Sequence, residues 1–199
     1  MIKLFLIATL TFIALLNPIQ KIFVIFSLQD TYDRKSLMKI VNRSTRTAFI
    51  VLLIFLTLGN QILGYVFNID MYSFQIICGV VLSINGLSAL QKGVYVKIDK
   101  DSSIEDIITV PIAVPMIAGP ASITAVVTMP QIYGVWVSVA AVTVGMFLNW
   151  FVMRKSNILG NFLNKHNLLN PMSRIFGLIV AAIGVQMILN GLKIFIATL

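Results

Sequence analysis

The chain has 199 residues, of which 58% are hydrophobic and only 11% charged, and its mean hydropathy is +0.95. Soluble domains carry about 25% charged residues, so this composition excludes an ordinary globular domain and indicates an integral membrane protein. The net charge of +8 comes from basic residues between apolar stretches, which favours a role in membrane orientation over nucleic-acid binding.

Six apolar stretches are long enough to cross about 30 Å of hydrocarbon as helices. We therefore predict an all-α membrane protein with the lipid bilayer as its partner. The predicted spans are 4–28, 47–67, 71–90, 107–129, 132–153 and 174–197. Three longer polar loops, at 29–46, 91–106 and 154–173, and two tight turns, at 68–70 and 130–131, connect them.

The basic residues predict an orientation. The three longer loops, with the start of the last span, hold 12 of the 15 lysines and arginines, and the tight turns hold none. Because basic loops stay in the cytoplasm, we expect both termini outside and the three long loops inside.

The first span is interrupted by Asn17-Pro18. Pro18 has no N–H, so the carbonyl of Ala14 loses its helical partner, and Asn17 is pushed away from helical angles. In hydrocarbon such a break persists only inside protein or beside a water-filled cavity. One interpretation is an unwound segment facing a substrate, and the other is a proline kink healed by its neighbours.

The fourth span is interrupted too. Its helix-breaking residues are Pro111, Pro115, Gly119 and Pro120, and they free the carbonyls of residues 107, 111 and 116. Ser122 and Thr124 follow, with hydroxyls suited to re-pairing the backbone or holding a ligand. Two broken helices in matching positions indicate a transport site, and the N–H groups of the second half-helices would face an anionic group such as a carboxylate.

The two halves of the chain resemble each other. Residues 78–87 align with residues 183–192 at an offset of 105, and Pro18 pairs with Pro120 at an offset of 102. Each half has an odd number of spans, so we predict two inverted three-helix repeats, residues 1–99 and 100–199, in one membrane domain.

Several polar residues lie within these spans. Lys21 is the only ionisable side chain well inside one, and we expect either a functional role or snorkelling of its long stem to the interface. Asn85 and Asn190 stand beside Gly86 and Gly191 in spans three and six, as interhelical glue or as ligand contacts.

Small residues line one face of span three and one face of span six, and we expect these faces to pack closely against other helices. They are Gly79, Ser83 and Gly86 in span three, and Gly177, Ala181 and Gly184 in span six.

No acidic residue lies inside a span, and the single histidine and single cysteine cannot form a metal cluster. We find no catalytic dyad and no phosphate-binding loop. We therefore expect no enzymatic activity, no metal and no cofactor.

The sequence resembles the MarC family of six-span inner-membrane proteins over essentially its whole length. The motifs that carry the resemblance are residues 14–19, the Pro-x-x-x-Pro-x-x-Ala-Gly-Pro run at 111–120, and residues 181–191. The family pattern usually has a glycine and a second proline where this chain has Gln20 and Phe23, and a glycine at Ala121. At these three positions we expect specificity to differ.

The resemblance implies a bacterial multi-pass inner-membrane protein. Some relatives are described as transporters of small neutral amino acids such as glycine and alanine. We therefore favour a secondary transporter of such molecules, with substrate-binding residues Asn17, Pro18, Lys21, Asn85, Gly119, Pro120, Ser122, Thr124 and Asn190. An exporter of drug-like compounds, suggested by the family name, and a non-transporting membrane scaffold are the alternatives. A coupling ion and a homo-oligomer stay open.

Overall fold

The computed structural model describes residues 2–92 and 116–198, and within these ranges the chain is helical with no β-strand. The predicted all-α class is confirmed for this part of the chain. Its α-helices are α1 (Ile2–Leu16), α2 (Pro18–Ser27), α3 (Arg34–Gln61), α4 (Met71–Lys92), α5 (Pro120–Tyr133), α6 (Val135–Arg154), α7 (Ser156–Lys165) and α8 (Leu169–Ala197).

Four of the described helical segments are long and apolar enough to cross a membrane, and a fifth span results if α1 and α2 count as one helix bent by 41°. The four are Arg34–Val66, Met71–Gln91, Val135–Arg154 and Asn170–Ala197. Most of the second basic loop, the boundary between the predicted repeats, and the first half of span four with Pro111 and Pro115 lie outside the described residues.

Both predicted interruptions are present. α1 ends at Leu16 and α2 begins at Pro18, and between them Asn17 has the left-handed angles φ 48° and ψ 66°. α5 begins at Pro120, after Gly119 in an extended conformation with φ −84° and ψ 178°. Each second half-helix therefore begins with a proline at its first position. Proline costs no hydrogen bond there, because an N–H at that position would have no acceptor within the helix.

Two predicted connections are wrong. The turn expected at 130–131 lies further along, because Pro130 sits in the last turn of α5. The helix ends at Tyr133 and is followed by Gly134, whose φ of +83° favours glycine. The loop expected at 154–173 contains α7, which buries Ser156 and Gly160 and exposes Ile158 and Phe162. The helix was not predicted because it is short and amphipathic, with too many polar residues to be recognised as an apolar span.

The first predicted loop also shortens. α3 begins at Arg34, within the 29–46 stretch, because the carboxylate of Asp33 accepts hydrogen bonds from the N–H groups of Lys35 and Ser36 at 3.3 Å. This N-cap lets the helix start among basic residues and continue into the apolar region.

The main core lies between α1, α2, α3, α5 and α6. Phe12, Leu52, Ile117, Val126 and Met146 are among its buried side chains. The outer faces of the helices expose many large apolar side chains. A surface of this kind suits contact with lipid rather than water.

α4 and α8 pack through the small-residue faces that the sequence predicted. A Cβ atom added at Gly79 would lie 2.6 Å from the carbonyl oxygen of Gly184, and one added at Gly177 would lie 2.8 Å from that of Gly86. Since Gly79 meets Gly184 while the later residue Gly86 meets the earlier Gly177, the two helices run antiparallel. Backbones this close require glycine or another small residue.

Contacts in one half of the chain recur in the other with the partners exchanged. Gly86 packs on Gly177 and Ala181. Moving Gly86 forward by the predicted offset of 105 gives Gly191, and moving its two partners back by 105 gives Tyr72 and Ile76. The structure contains this second contact as well. A second reciprocal pair has an offset of 101. It consists of Gly59 against Val127 and Gly160 against Phe26.

Candidate functional site

The first interruption is closed mainly by its own residues. The side-chain oxygen of Asn17 accepts from the backbone N–H of Gln20 at 3.4 Å and so caps α2. The backbone N–H of Asn17 lies 3.2 Å from the carbonyls of both Ile13 and Ala14. The predicted loss of a partner at Ala14 is therefore made good one residue before the proline.

Lys21 completes this closure. Its side chain is buried, with 1% exposed, and its ammonium group donates to the carbonyl oxygen of Leu16. In a continuous helix that carbonyl would accept from the N–H of Gln20, which here is directed to Asn17. The snorkelling interpretation is wrong, because the side chain reaches back along the helix to the break and does not extend to the interface.

The second interruption is closed by a hydroxyl. Ser122 Oγ donates to the carbonyl oxygen of Ile117 at 2.6 Å and also lies 3.0 Å from that of Gly119. Thr124 Oγ1 donates to the carbonyl oxygen of Pro120 at 2.9 Å. The sequence left two roles open for these hydroxyls, re-pairing the backbone or holding a ligand. In the structure both hydroxyls make hydrogen bonds to the backbone.

A cavity of about 280 Å³ lies between the two interruptions and the α4–α8 pair. From the broken helices it is lined by Leu15, Leu16, Asn17, Gln20, Phe23, Met116, Gly119, Pro120, Ala121 and Ser122. From α4 and α8 it is lined by Leu82, Asn85, Gly86, Ser88, Ala89, Ser173, Phe176, Gly177 and Val180.

The cavity brings together five of the nine residues predicted for the site: Asn17, Asn85, Gly119, Pro120 and Ser122. The other four, Pro18, Lys21, Thr124 and Asn190, are not among its lining residues. Asn190 instead accepts a hydrogen bond of 2.9 Å from Gln186 on the same helix, and its side chain is exposed. Gln20, Phe23 and Ala121, where the chain departs from the family pattern, all line the cavity.

The described part of the lining includes polar side chains but no charged one. No described lysine, arginine, histidine, aspartate or glutamate lines the cavity, and the described residues contain no cluster of metal-ligating side chains. The polar side chains in the lining are Asn17, Gln20, Asn85, Ser88, Ser122 and Ser173. Such a lining can bind a small polar molecule through hydrogen bonds.

Ser173 is, with Ser88, a polar residue of this site that the sequence did not indicate. It is 4% exposed, it lines the cavity, and its Oγ has no hydrogen-bond partner among the described residues. Its place at the polar edge of a predicted span resembled any loop serine. Only the packing of α8 against α4 brings it to the cavity.

The two half-helices that begin at the cavity differ at their first turn. α2 is capped by Asn17, whereas α5 has no side-chain cap because Gly119 holds the cap position. The first N–H groups of a helix lack intrahelical partners and carry a partial positive charge. At α5 these groups belong to Ala121 and Ser122, both of which line the cavity.

Residues 2–196 match a family model described as "MarC family integral membrane protein". A UPF0056 membrane protein of Pyrococcus horikoshii is 31% identical over 191 residues, which cover 96% of this chain and 94% of the relative. A UPF0056 membrane protein of Buchnera aphidicola subsp. Schizaphis graminum is 32% identical, over 90% of this chain and 87% of the relative. One of Aquifex aeolicus is 28% identical, over 96% and 92%. No solved structure matches the chain.

Proposed function

The chain belongs to the MarC family of integral membrane proteins, and on this basis we propose that it is a secondary transporter of small neutral amino acids or similar small metabolites. One observation carries the proposal: the broken ends of two helices line the same cavity. Broken helices with backbone groups at a shared cavity are how many secondary transporters bind substrate at the middle of the membrane.

The proposed architecture is two inverted three-helix repeats. The reciprocal contacts support it, because a two-fold relation that exchanges the halves maps each contact onto another. Gly86 against Gly177 maps onto Gly191 against Tyr72, and Gly79 maps onto its own partner, Gly184. The antiparallel arrangement of α4 and α8 is what equivalent helices in oppositely oriented repeats require.

The cavity also has a direction. Its lining comes from residues 82–89 of α4 and 173–180 of α8, and the opposite halves of these helices contribute none. With the predicted orientation, in which the basic loops are cytoplasmic, this end faces inward. We propose that movement of one repeat against the other gives the cavity access to each side of the membrane in turn.

The alternatives have less support. The scaffold hypothesis drew on the small-residue faces of spans three and six, but those faces pack against each other within the chain. The exporter of drug-like compounds has only the family name behind it. The absence of enzymatic activity stays a prediction, as do the inner-membrane location, the coupling ion and the homo-oligomer.

Flux through purified protein in liposomes tests the proposal. We expect saturable uptake of radiolabelled glycine or alanine under a proton, sodium or potential gradient, and none in empty liposomes. Asn85→Phe should reduce uptake at least about tenfold, because it fills the cavity and removes an amide. Ile84→Phe is the matched control, since Ile84 is exposed and is not a lining residue.

Absence of uptake for every amino acid under all three gradients would contradict the transporter. The scaffold predicts a different pattern. In that case Asn17→Ala and Gly119→Leu would alter the recovery of a membrane complex from detergent extracts, while no solute flux would be detected for the unmodified protein.

A further inference from the structure

We propose that the outer surface of α3 and α6 binds a phospholipid with an anionic headgroup. The cations that hold the lipid phosphate are Lys39 and Arg46 of α3 and Arg154 of α6, and we call these three residues the basic face. None of them lines the cavity, so the inference is independent of the proposed transport.

The first support is a contact that fixes α6 against α3. The indole N–H of Trp150 donates to the side-chain oxygen of Asn42 at 2.7 Å. The guanidinium of Arg154 lies 5.2 Å from the centroid of the Trp150 ring. Trp150 therefore holds the cation of α6 close to the surface of α3 that carries Asn42.

That surface of α3 carries cations of its own. Lys39 precedes Asn42 by three residues and Arg46 follows it by four, so the three side chains lie on one face of the helix. All three are exposed, as is Arg154. Positive charges from two helices are thus brought to one exposed surface.

Neither helix contains an acidic residue that could neutralise the basic face. Asp33, which precedes α3, uses its carboxylate to cap that helix, and no acidic residue follows Asp106 in the sequence. A phosphate group is a suitable counter-ion, because guanidinium and ammonium groups both form charge-assisted hydrogen bonds with its oxygens.

The second support distinguishes a lipid from a soluble phosphate. One turn beyond Arg46, the same face of α3 becomes apolar with Ile50 and Ile54, which are 53% and 44% exposed. On α6, Phe147 is 59% exposed and its ring centroid lies 5.7 Å from that of Trp150. Tryptophan is enriched at the level of the lipid headgroups. A ligand with a phosphate at one end and hydrocarbon at the other matches both parts of this surface.

The charge of the basic face selects the class of lipid. A zwitterionic headgroup carries its own cation, which the three basic residues repel, whereas phosphatidylglycerol has a net negative charge. Basic pockets between membrane helices bind anionic headgroups in this way. We therefore expect the face to prefer phosphatidylglycerol to phosphatidylcholine.

Tryptophan fluorescence tests this preference, because Trp150 belongs to the proposed site. The chain has two tryptophans, so Trp136→Phe leaves Trp150 as the only reporter. The full-length variant is reconstituted in vesicles of the two lipids, with bromine, a quencher of tryptophan, on the chains of one lipid or of the other. We expect brominated phosphatidylglycerol to quench more strongly, with a relative affinity of at least about fivefold. Equal quenching by the two lipids would overturn the proposal.

Trp150→Phe provides the control for position, because it leaves Trp136 as the reporter. Trp136 is 86% exposed and lies at the opposite end of α6 from Arg154. We expect the two brominated lipids to quench Trp136 about equally. The same preference for phosphatidylglycerol at both tryptophans would contradict a local site.

A double substitution tests the basic face itself. Lys39→Gln with Arg46→Gln, made in the Trp136→Phe background, removes two cations at exposed positions and leaves Trp150 and Asn42 in place. We expect the preference to fall below about twofold. Quenching by brominated phosphatidylcholine should persist, which shows that the variant is folded and inserted. An unchanged preference would overturn the assignment to these residues.

The matched control is Lys165→Gln with Arg174→Gln, which removes the same two residue types from exposed positions on α7 and α8. We expect it to keep the preference of the parent protein. An equal fall in both double variants would assign the effect to net charge and overturn a specific site.

Glycerol 3-phosphate separates the lipid from a soluble phosphate. Added in large excess, it should leave the quenching by brominated phosphatidylglycerol unchanged, because it lacks the hydrocarbon that contacts Ile50 and Phe147. Loss of that quenching would show that the basic face binds soluble phosphates and would overturn its assignment to a lipid.

Discussion

The two interruptions face the same physical problem and solve it with different groups. At the first, an asparagine caps α2 and a buried lysine donates to the carbonyl of Leu16. At the second, Ser122 donates to the carbonyl of Ile117, and the start of α5 has no side-chain cap. Both breaks expose backbone groups where hydrocarbon cannot satisfy them, so each exposed group needs a partner from the protein, from water or from a ligand.

The difference lies in how the second half-helix begins, with a side-chain cap at α2 and without one at α5. The first supplies its own donors and acceptors, so it holds its shape without help. The second has no side-chain cap, and the residues of its first turn line the cavity. Proline marks both positions in the sequence, but the side chains around the proline decide what the break can bind.

The largest expected effect comes from Asn17→Ala. It removes the cap of α2 and leaves alanine, which has a Cβ but no capping oxygen, in a left-handed conformation. We expect the free energy of unfolding to fall by about 2–3 kcal/mol. Asn17→Gly should cost only a few tenths of a kcal/mol, because glycine accepts that conformation. Gly119→Ala should also cost little, since the extended backbone there suits any residue. Chemical unfolding in mixed micelles measures all three, and equal losses at positions 17 and 119 would erase the distinction between the breaks.

Lys21→Met should cost about 2 kcal/mol, because it leaves the buried carbonyl of Leu16 without a donor. Lys3→Met, at an exposed position near the start of α1, should leave the free energy of unfolding nearly unchanged. If Lys21→Met instead stabilises the protein, burial of the ammonium costs more than its hydrogen bond contributes, and the first break is strained rather than satisfied.

Ser122→Ala should cost about 1 kcal/mol, less than Lys21→Met, because a neutral hydroxyl makes a weaker bond than an ammonium. Ser138→Ala serves as the reference for removing a buried hydroxyl that donates to its own helix. If Ser122→Ala lowers the free energy of unfolding no more than Ser138→Ala does, the carbonyl of Ile117 accepts from another donor in the variant.

The smallest effect is expected at Asp33, the N-cap of α3 outside the apolar spans. Its hydrogen bond with Ser36 holds the pKa of the Asp33 carboxyl below the ordinary 3.8. The stabilisation is therefore complete above about that pH and is lost as the pH falls through the lowered pKa. Thermal unfolding between pH 6 and pH 3 should show a small fall in Tm that Asp33→Asn lacks. An identical fall in the variant would assign the pH dependence to other groups.

Features that follow from residue type could be predicted from the sequence. Pro18 and Pro120 mark the breaks because proline has no N–H, and Gly79 and Gly184 mark a close helix contact because they have no Cβ. Asn17 and Asn85 were predicted as site residues, and both line the cavity. So do Gln20, Phe23 and Ala121, the positions that depart from the family pattern. These predictions depend on local chemistry, which a single sequence contains.

Features that depend on where a side chain points could not be predicted. Whether Lys21 extends to the interface or turns back to Leu16 is decided by packing, since its stem allows both. Ser173 reaches the cavity only because α8 packs against α4 at this depth. α7 was missed because it has only ten residues, of which several are polar, and so it resembles a polar loop in the sequence.

The contact between Gly79 and Gly184 bears on how such a chain can originate. In an isologous dimer, the residue on the symmetry axis touches its own copy in the partner. Under the proposed repeat these two glycines are such copies, 105 residues apart in one chain. A half-length ancestor that inserted in both orientations would already possess this self-complementary face. Gene duplication and fusion would then preserve an existing interface, without requiring a new one to evolve.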